Sequence, residues 1–294
     1  MTEQTAEIAV PTGPTGKAFG SRLVHAKADF GPLCVGIDPH ASELTAWGLP
    51  DDDGGLRDFA LRMLDAAAGR AAAVKPQSAF FERHGSAGIA VLEELLAAAR
   101  ELNVLVILDV KRGDIGSTAV AYADAYLRHE SPLFADAVTA SPYLGFGSLD
   151  PLYVAAREAG SGVFVLAYTS NPEAPQVQQA KGADGRTVTA TVLAALAELN
   201  AGTDLGSFGA VVGATATSVA EDLQINGPLL APGLGAQGAT SADLPAVFGA
   251  ALPWVLPSAS RSLSSVGPDT SAIGRAVQAE VEALRKVMAP SQLG

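Results

Sequence analysis

The chain has 294 residues and a formal net charge of −12 at pH 7, with 48% hydrophobic and 17% charged residues. This composition excludes disorder for the bulk of the chain. The acidic balance argues against non-specific binding to nucleic acid or anionic membranes, because both depend on clustered Lys and Arg.

The first 16 residues have neither the charged region nor the apolar region of a signal peptide, and we predict a flexible tail at 1–16. No apolar run approaches the roughly 18 residues that a membrane span needs. These features predict a soluble, cytoplasmic protein. Cys34 is the only cysteine, which excludes an intrachain disulfide, and its apolar neighbours predict a buried, inert thiol.

Short apolar segments rich in β-branched residues alternate along the chain with Ala- and Leu-rich segments of helical periodicity. The predicted strands are 33–38, 72–76, 104–111, 135–141, 162–170, 208–214, 228–234 and 254–260. The predicted helices are 17–29, 56–69, 86–102, 116–128, 148–159, 187–200 and 271–288. Successive strands begin about 32 residues apart, which is the length of one βα unit.

This alternation predicts the fold class. Strands joined by helices run parallel, and strands of nearly continuous apolar sequence are buried on both faces. Eight such units predict an α/β fold, a closed (β/α)₈ TIM barrel forming a single catalytic domain at 17–289, with helix 17–29 closing its bottom. An open, doubly wound sheet is the competing fold. The longest polar connection, 171–186, follows the fifth strand on the side where barrels keep their active sites, so it is a candidate lid.

The third predicted strand ends in a charged cluster. Its apolar half is typical of a buried strand, yet Asp109 and Lys111 follow directly, and Asp114 lies just past Gly113. Because strand side chains alternate between faces, Asp109 and Lys111 should point the same way. An Asp–Lys pair that merely closes the end of the barrel is the structural alternative.

Two neighbouring strands also end in charges. Lys75 ends the second predicted strand and Asp38 ends the first. Buried Lys and Asp are tolerated only when they are paired and hydrogen-bonded. Three adjacent strands that deliver charge to one rim favour a reaction site over a structural pair.

A glycine-rich loop follows the seventh predicted strand. Gly233, Gly235 and Gly238 match the dinucleotide-binding pattern G-x-G-x-x-G. That pattern should follow an early strand and have an acidic residue about 20 positions further on. Here the loop belongs to the seventh unit, and 250–262 contains no Asp or Glu, which disfavours a dinucleotide site.

A site for one phosphate fits this end of the chain better. Barrel enzymes often bind phosphate with the loops after strands seven and eight. Backbone N–H groups of the glycine turns are expected to face the anion, Arg261 can supply a bidentate fork, and Gln237 offers an amide donor. A solvated surface arginine is the alternative for Arg261.

Other chemistries lack their motifs. The four histidines are scattered without paired spacing, which argues against a His-based metal site. No serine lies in a G-x-S-x-G turn, and no P-loop lysine follows the glycines.

Taken together, these motifs closely resemble those of the orotidine 5′-phosphate decarboxylase family. The resemblance rests on D-x-K-x-x-D at Asp109, Lys111 and Asp114, on the lysine and aspartate of the first two strands, on the P-G-x-G-A-Q-G loop and on a final S-R. The segments 74–81 (VKPQSAFF), 169–172 (TSNP) and 258–262 (SASRS) are similar to the longer bacterial branch of the family. The match runs from about residue 36 to residue 261.

The resemblance implies decarboxylation of orotidine 5′-monophosphate to UMP, the last step of de novo pyrimidine synthesis. It implies no metal or organic cofactor, and a homodimer with shared active sites. The charged array would consist of Lys75, Asp109, Lys111 and Asp114, and Lys111 would donate a proton to pyrimidine C6. Asp114 and Thr118 would reach into the neighbouring subunit's site.

The resemblance also assigns substrate contacts. Asp38 would bind ribose hydroxyls, Ser170 would face the pyrimidine amide, and Gln237 and Arg261 would grip the phosphate, with a backbone contact at Ser260. The commoner short branch has Gly in place of Ser260 and E-M-S where this chain has Thr169-Ser170.

Two other functions compete. One is a keto-sugar-phosphate decarboxylase or hexulose-phosphate synthase, which shares D-x-K-x-x-D but uses Mg²⁺ held by additional acidic residues. Lys75 stands where such an acid would help to hold the metal. The other is a barrel that only binds nucleotides, which the cost of burying charge disfavours.

Overall fold

The computed structural model describes residues 17–216, 219–235 and 238–289, so the predicted tail at 1–16 and Gln237 lie outside the described residues. The strands are β1 (Cys34–Ile37), β2 (Ala73–Pro76), β3 (Leu105–Arg112), β4 (Ala137–Ala140), β5 (Gly162–Tyr168), β6 (Phe208–Val212), β7 (Leu229–Leu234) and β8 (Val255–Ala259). Each coincides with a predicted strand, because nearly continuous apolar runs mark strands that are buried on both faces.

The strands close into a barrel. They pair in chain order from β1 to β8, every pairing is parallel, and β1 also pairs with β8 through Cys34 opposite Ser258. The predicted single-domain (β/α)₈ barrel is therefore confirmed, and the open doubly wound sheet is wrong.

Helices surround the barrel. They are α1 (Phe19–Phe30), α2 (Ala41–Ala46), α3 (Asp53–Ala67), α4 (Ser78–Glu82), α5 (Gly85–Glu101), α6 (Gly116–Leu127), α7 (Asp150–Ala159), α8 (Pro175–Gln178), α9 (Val188–Leu199), α10 (Leu244–Phe248), α11 (Arg261–Ser264) and α12 (Thr270–Met288). All seven predicted helices are present. The short helices α2, α4, α8, α10 and α11 were not predicted, because four to six residues are too few to display helical periodicity.

Helix α1 closes the bottom of the barrel, as predicted. Phe19 and Leu23 are fully buried in a cluster with inward-facing strand residues, and the Phe19 ring meets Phe164 of β5 edge-on with centroids 5.9 Å apart. A Cβ on Gly162 would come within 2.5 Å of the Phe19 ring, so the first position of β5 has room only for glycine. The ion pair between Arg22 and Asp136 ties the helix to the barrel.

A larger apolar core lies between the strands and the outer helices, with members such as Met63, Leu64 and Leu95 fully buried. Cys34 is buried in the barrel interior, and burial raises the pKa of its thiol to about 12. The predicted burial of Cys34 is therefore confirmed, and its inertness stays a prediction. Within the described residues, no helix combines the length and the apolar character that a bilayer crossing requires.

Candidate active site

The end of β3 departs from regular strand geometry. Its pairing with β4 shifts register between Leu108 and Arg112, and Lys111 has a left-handed backbone with φ of 45°. A non-glycine residue in this region is strained, and bulges of this kind turn side chains toward active sites. Lys111 Nζ lies 2.6 Å from Asp109 Oδ1, so the prediction that the two side chains meet is confirmed.

The Asp109 carboxylate accepts four hydrogen bonds. Oδ1 accepts from Lys111 Nζ and, at 2.8 Å, from the Thr139 hydroxyl. Oδ2 accepts from Lys75 Nζ at 3.2 Å and from Gln77 Nε2 at 3.0 Å. An ionised carboxylate has about four acceptor positions, so these donors fully occupy it and fix its orientation.

The charges of this cluster stabilise one another. Asp109 is only 6% exposed, and burial alone would raise its pKa, but the ammonium groups of Lys75 and Lys111 lower that pKa to about 2. Lys75 is 5% exposed, and burial opposes its charge, yet the Asp38 and Asp109 carboxylates outweigh burial and raise its pKa above the ordinary lysine value. Both groups are therefore charged at neutral pH.

We expect this cluster to make stability depend on pH. Asp109 has a lower pKa in the folded state than the usual unfolded value of about 3.9, so its contribution is full above that value and is lost as the pH falls towards about 2. Lys75 has a raised pKa, so its contribution is full below about 10.4 and is lost as the pH rises further. Urea unfolding at pH 2 to 5 should show a smaller acid dependence in Asp109→Asn than in the wild type; parallel curves would contradict this origin.

Asp38 completes the charged group on the first strands. Its Oδ1 lies 3.9 Å from Lys75 Nζ, which is an ion-pair distance without a hydrogen bond. This oxygen is buried and has no hydrogen-bond partner among the described residues. A buried acceptor left unpaired is costly, so the position favours a ligand that brings a donor.

The charged group borders a cavity of about 360 Å³ at the carboxyl ends of the strands. Seven of the predicted site residues line it: Asp38, Lys75, Asp109, Lys111, Ser170, Ser260 and Arg261. Apolar residues from the barrel interior, Val211 and Leu230, also line this cavity. The barrel therefore brings together residues from all eight of its strands or the loops directly after them.

Asp114 and Thr118 do not line this cavity. Asp114 is half-buried, and its Oδ1 accepts a hydrogen bond from the Ile115 backbone at 2.8 Å. Thr118 is exposed on the first turn of α6. Within one chain, these two residues are therefore not brought to the Lys75–Asp109–Lys111 cluster.

The glycine loop is left-handed at all three positions, with φ of 109° at Gly233, 77° at Gly235 and 96° at Gly238. The Gly235 N–H donates to the Ala239 carbonyl at 2.7 Å, and the Gly238 N–H donates to the Gly235 carbonyl at 2.8 Å. The expectation that these glycine N–H groups face an anion is therefore wrong for Gly235 and Gly238, because both close the turn.

Ser260 and Arg261 come directly after β8. They are far from β3 in the sequence but line the same cavity as its charged residues. The Arg261 side chain is exposed and forms no ion pair within the described ranges. A Cβ on Gly36 would lie 2.7 Å from the Ser260 Cβ, so glycine in β1 lets Ser260 pack against that strand.

Sequence reasoning missed four polar or aromatic residues that line the cavity beside the charged cluster: His40, Gln77, Phe80 and Thr139. The His40 and Phe80 rings pack against each other at an interplanar angle of 48°, with centroids 4.1 Å apart. Thr139 had a detectable signal, because it is the one hydroxyl residue inside an otherwise apolar buried strand. The others lie in loops and short helices, where periodicity gives no signal.

Hydrogen bonds join the candidate lid at 171–186 to the end of β5 at the upper rim of the barrel. The Gln178 side chain of α8 accepts from the Thr169 backbone N–H at 2.8 Å and donates to the Thr169 hydroxyl at 2.8 Å. Thr169 itself lines the cavity. The segment therefore starts beside the cavity, as predicted, and its role as a lid stays a prediction.

Among the described residues, no group of three or more His, Cys, Asp or Glu side chains could hold a metal ion.

A parallel barrel in which buried Lys75 and Asp109 meet the more exposed Lys111 at the carboxyl ends of the strands defines a barrel enzyme. More narrowly, this chain belongs to the orotidine 5′-phosphate decarboxylase / HUMPS family, whose model matches residues 31–251.

Similar proteins cover nearly the whole of the barrel. A Streptomyces coelicolor protein named orotidine 5′-phosphate decarboxylase is 60% identical over 257 residues, covering 87% of this chain and 92% of the relative. A Nocardioides protein of the same name is 61% identical over 249 residues, covering 83% and 91%. The structure of Leishmania donovani OMP decarboxylase superposes with a TM-score of 0.72 at 33% identity, covering 92% of this chain and 99% of that one.

Proposed function

We propose that this chain decarboxylates orotidine 5′-monophosphate to UMP and CO₂, as the carbon–carbon lyase of the last step of de novo pyrimidine synthesis. The names of its relatives and its family membership support this reaction. The observation that carries the proposal is the Lys75–Asp109–Lys111 cluster, which places two ammonium groups around one fixed carboxylate at the wall of a cavity.

The reaction needs a fixed positive charge near one carbon. When the bond from C6 to the carboxylate breaks, CO₂ leaves and its electron pair stays on C6, where no adjacent carbonyl can delocalise it. The Lys111 ammonium can stabilise this pair and then donate its proton to C6, which gives UMP; the lysine regains a proton from water. Its side chain is 45% exposed toward the cavity side of the barrel, so it is accessible to a ligand.

Asp109 has two conceivable effects on the substrate. It could repel the substrate carboxylate in a way that vanishes as CO₂ leaves, although ground-state destabilisation is contested as a major contribution. Its four hydrogen bonds favour a second effect, in which a carboxylate that cannot reorient holds both ammonium groups in place before the substrate binds.

The proposed substrate contacts follow the polar groups around the cavity. The unpaired Oδ1 of Asp38 can accept from a ribose hydroxyl, and the Arg261 guanidinium can form a bidentate contact with the phosphate. Ser170 and Ser260 supply polar groups for the pyrimidine and for the phosphate end, and Gln237 would join Arg261. Binding of the remote phosphate can supply energy for closing and desolvating the site.

We also propose a homodimer in which Asp114 and Thr118 enter the partner's site. Large apolar side chains are exposed beside these two residues, including Ile115, Tyr143 and Leu144. The loops after β3 and β4 lie together, because the Ser141 N–H donates to the Arg112 carbonyl at 2.8 Å. Apolar surface of this kind is typical of an interface, and a two-fold dimer would bury it in both subunits.

Mixing two inactive variants tests the shared site. Lys111→Ala and Asp114→Ala should each be nearly inactive, but in their heterodimer one of the two sites has both residues intact. After complete subunit exchange of an equimolar mixture, we expect about a quarter of the wild-type activity, because half of the dimers are then mixed. Failure to regain activity, with exchange demonstrated by differently tagged subunits, would contradict this geometry.

The activity itself is tested by incubating purified protein with orotidine 5′-monophosphate and following the loss of the orotate ultraviolet absorbance. Turnover should persist in excess chelator, and orotidine without its phosphate should be a much poorer substrate. Loss of this activity with chelator would contradict the metal-free reaction. A folded protein without turnover would refute the proposed function and leave the sugar-phosphate and the nucleotide-binding alternatives.

The proposed cellular location and domain limits are based on the sequence alone. We infer a cytoplasmic enzyme whose catalytic domain spans 17–289 after a flexible tail. Proteolysis followed by mass spectrometry would test the domain limits, since a flexible tail should be removed first.

A further inference from the structure

We propose that Thr139 is a positioning residue for the proposed decarboxylation, whose hydroxyl holds the Asp109 carboxylate and the Lys111 backbone in fixed relation to each other. The inference rests on the proposed function and goes beyond it, because it gives a role to a residue outside the charged cluster.

The Thr139 hydroxyl joins the two central residues of the site directly. It lies on β4 and the residue is only 1% exposed. Its Oγ1 donates to Asp109 Oδ1 at 2.8 Å and accepts from the Lys111 backbone N–H at 2.9 Å. A hydroxyl has one proton, and an ionised carboxylate can only accept, so the direction of both bonds is determined.

This contact replaces a hydrogen bond that the bulge removes. The register between β3 and β4 is lost between Leu108 and Arg112, so the Lys111 N–H bonds to the Thr139 side chain instead of a backbone carbonyl of β4. Lys111 is also left-handed, and such strain persists only where the surroundings hold it. The threonine hydroxyl is the contact that holds it at this position.

Packing alone does not require a threonine here. The other residues of β4 are buried and apolar, and valine has nearly the same shape as threonine. A valine at 139 would fill the space but would leave the Lys111 N–H and one acceptor position of Asp109 unsatisfied. The hydroxyl is therefore the part of this side chain that matters for the site.

The test compares Thr139→Val, which keeps the shape and removes the hydroxyl, with Thr139→Ser, which keeps the hydroxyl and removes a methyl group. We expect Thr139→Val to lower kcat for orotidine 5′-monophosphate by roughly 10- to 100-fold, because it leaves buried polar groups unpaired in the site. KM should change little, since the ribose and phosphate contacts are made elsewhere. Thr139→Ser should keep kcat within about threefold of the wild type, as it retains both hydrogen bonds.

The pH profile gives a readout that a packing role would not move. Asp109 faces the ammonium groups of Lys75 and Lys111 and the neutral donors Gln77 and Thr139. Losing one donor raises the pKa of the carboxylate, so the acid limb of kcat against pH should move to higher pH in Thr139→Val and stay in place in Thr139→Ser.

Crystal structures of the two variants make the inference independent of turnover. In Thr139→Val, the Lys111 backbone should leave the left-handed region or its Nζ should move away from Asp109; in Thr139→Ser, both should stay. Wild-type kcat in Thr139→Val, or equal losses of kcat and of thermal midpoint in both variants, would overturn the positioning role. An inactive wild type would refute the proposed function instead. The two variant structures would still show whether Thr139 positions Asp109 and Lys111.

Discussion

Lys111→Ala should lower kcat for orotidine 5′-monophosphate by at least about 10⁴-fold, because it removes both a proton donor and a fixed charge from the site. The fold should survive this change. The Lys111 side chain is 45% exposed, and Asp109 keeps its bonds to Lys75, Gln77 and Thr139. Steady-state kinetics and thermal unfolding of the same preparation measure both expectations.

Lys286→Ala is the matched control, because this lysine is exposed in the last turn of α12, far along the chain from the cavity lining. It should change neither kcat nor the thermal midpoint. If Lys111→Ala retained more than a hundredth of the wild-type kcat, Lys111 would not be the proton donor. If it unfolded at a much lower temperature than Lys286→Ala, the loss of activity would be a loss of fold.

The largest effect on stability is expected at Lys75. Lys75→Met should lower the free energy of unfolding by about 3–5 kcal/mol at pH 7, because it removes one partner of a buried ion pair. The Lys75 and Asp109 side chains are 7% and 8% exposed, so water cannot replace the lost partner. Asp38 would lose its only charged neighbour among the described residues as well. Equilibrium unfolding in guanidinium chloride measures this loss.

Arg128→Met provides the comparison, since Arg128 pairs with Asp124 and Glu158 on the protein surface with all three side chains about half exposed. These exposed pairs should contribute little to the free energy of unfolding. A double variant, Lys75→Met with Asp109→Leu, should be more stable than Lys75→Met alone, because the buried Asp109 carboxylate is then not left without Lys75. Equal losses in Lys75→Met and Arg128→Met would show that the buried pair has no special importance for folding.

The positions of Asp38, Lys75 and Asp109 could be predicted because each lies towards or just past the carboxyl end of a recognisable strand, and parallel strands end at one rim. The conformation of Lys111 could not, since the bulge depends on the register between β3 and β4, which is set by residues far apart in sequence. The proposed role of Thr139 depends on that bulge, so the sequence could indicate a hydroxyl in an apolar strand but not its hydrogen-bond partners. The directions of the N–H groups in the glycine loop depend on turn geometry that a glycine pattern does not specify.

The surroundings of Asp114 and Thr118 are a second feature that the sequence of one chain could not predict. Both residues match the family motif, yet one chain does not bring them to the cavity. A sequence specifies its own side chains, but a site shared between subunits also depends on how two surfaces pack. The role that the family resemblance gives these residues therefore stays a prediction, and the motif does not specify their location relative to Lys111.

Helix α1 has a consequence for how molecules enter and leave. Phe19 fills the lower end of the barrel interior, and it belongs to the same apolar cluster as Val211 and Leu230, which line the cavity from the other side. Among the described residues, α1 therefore closes the lower end of the barrel axis. Molecules would then enter and leave at the upper rim, so one moving segment there would control hydration, substrate commitment and the order of product release together.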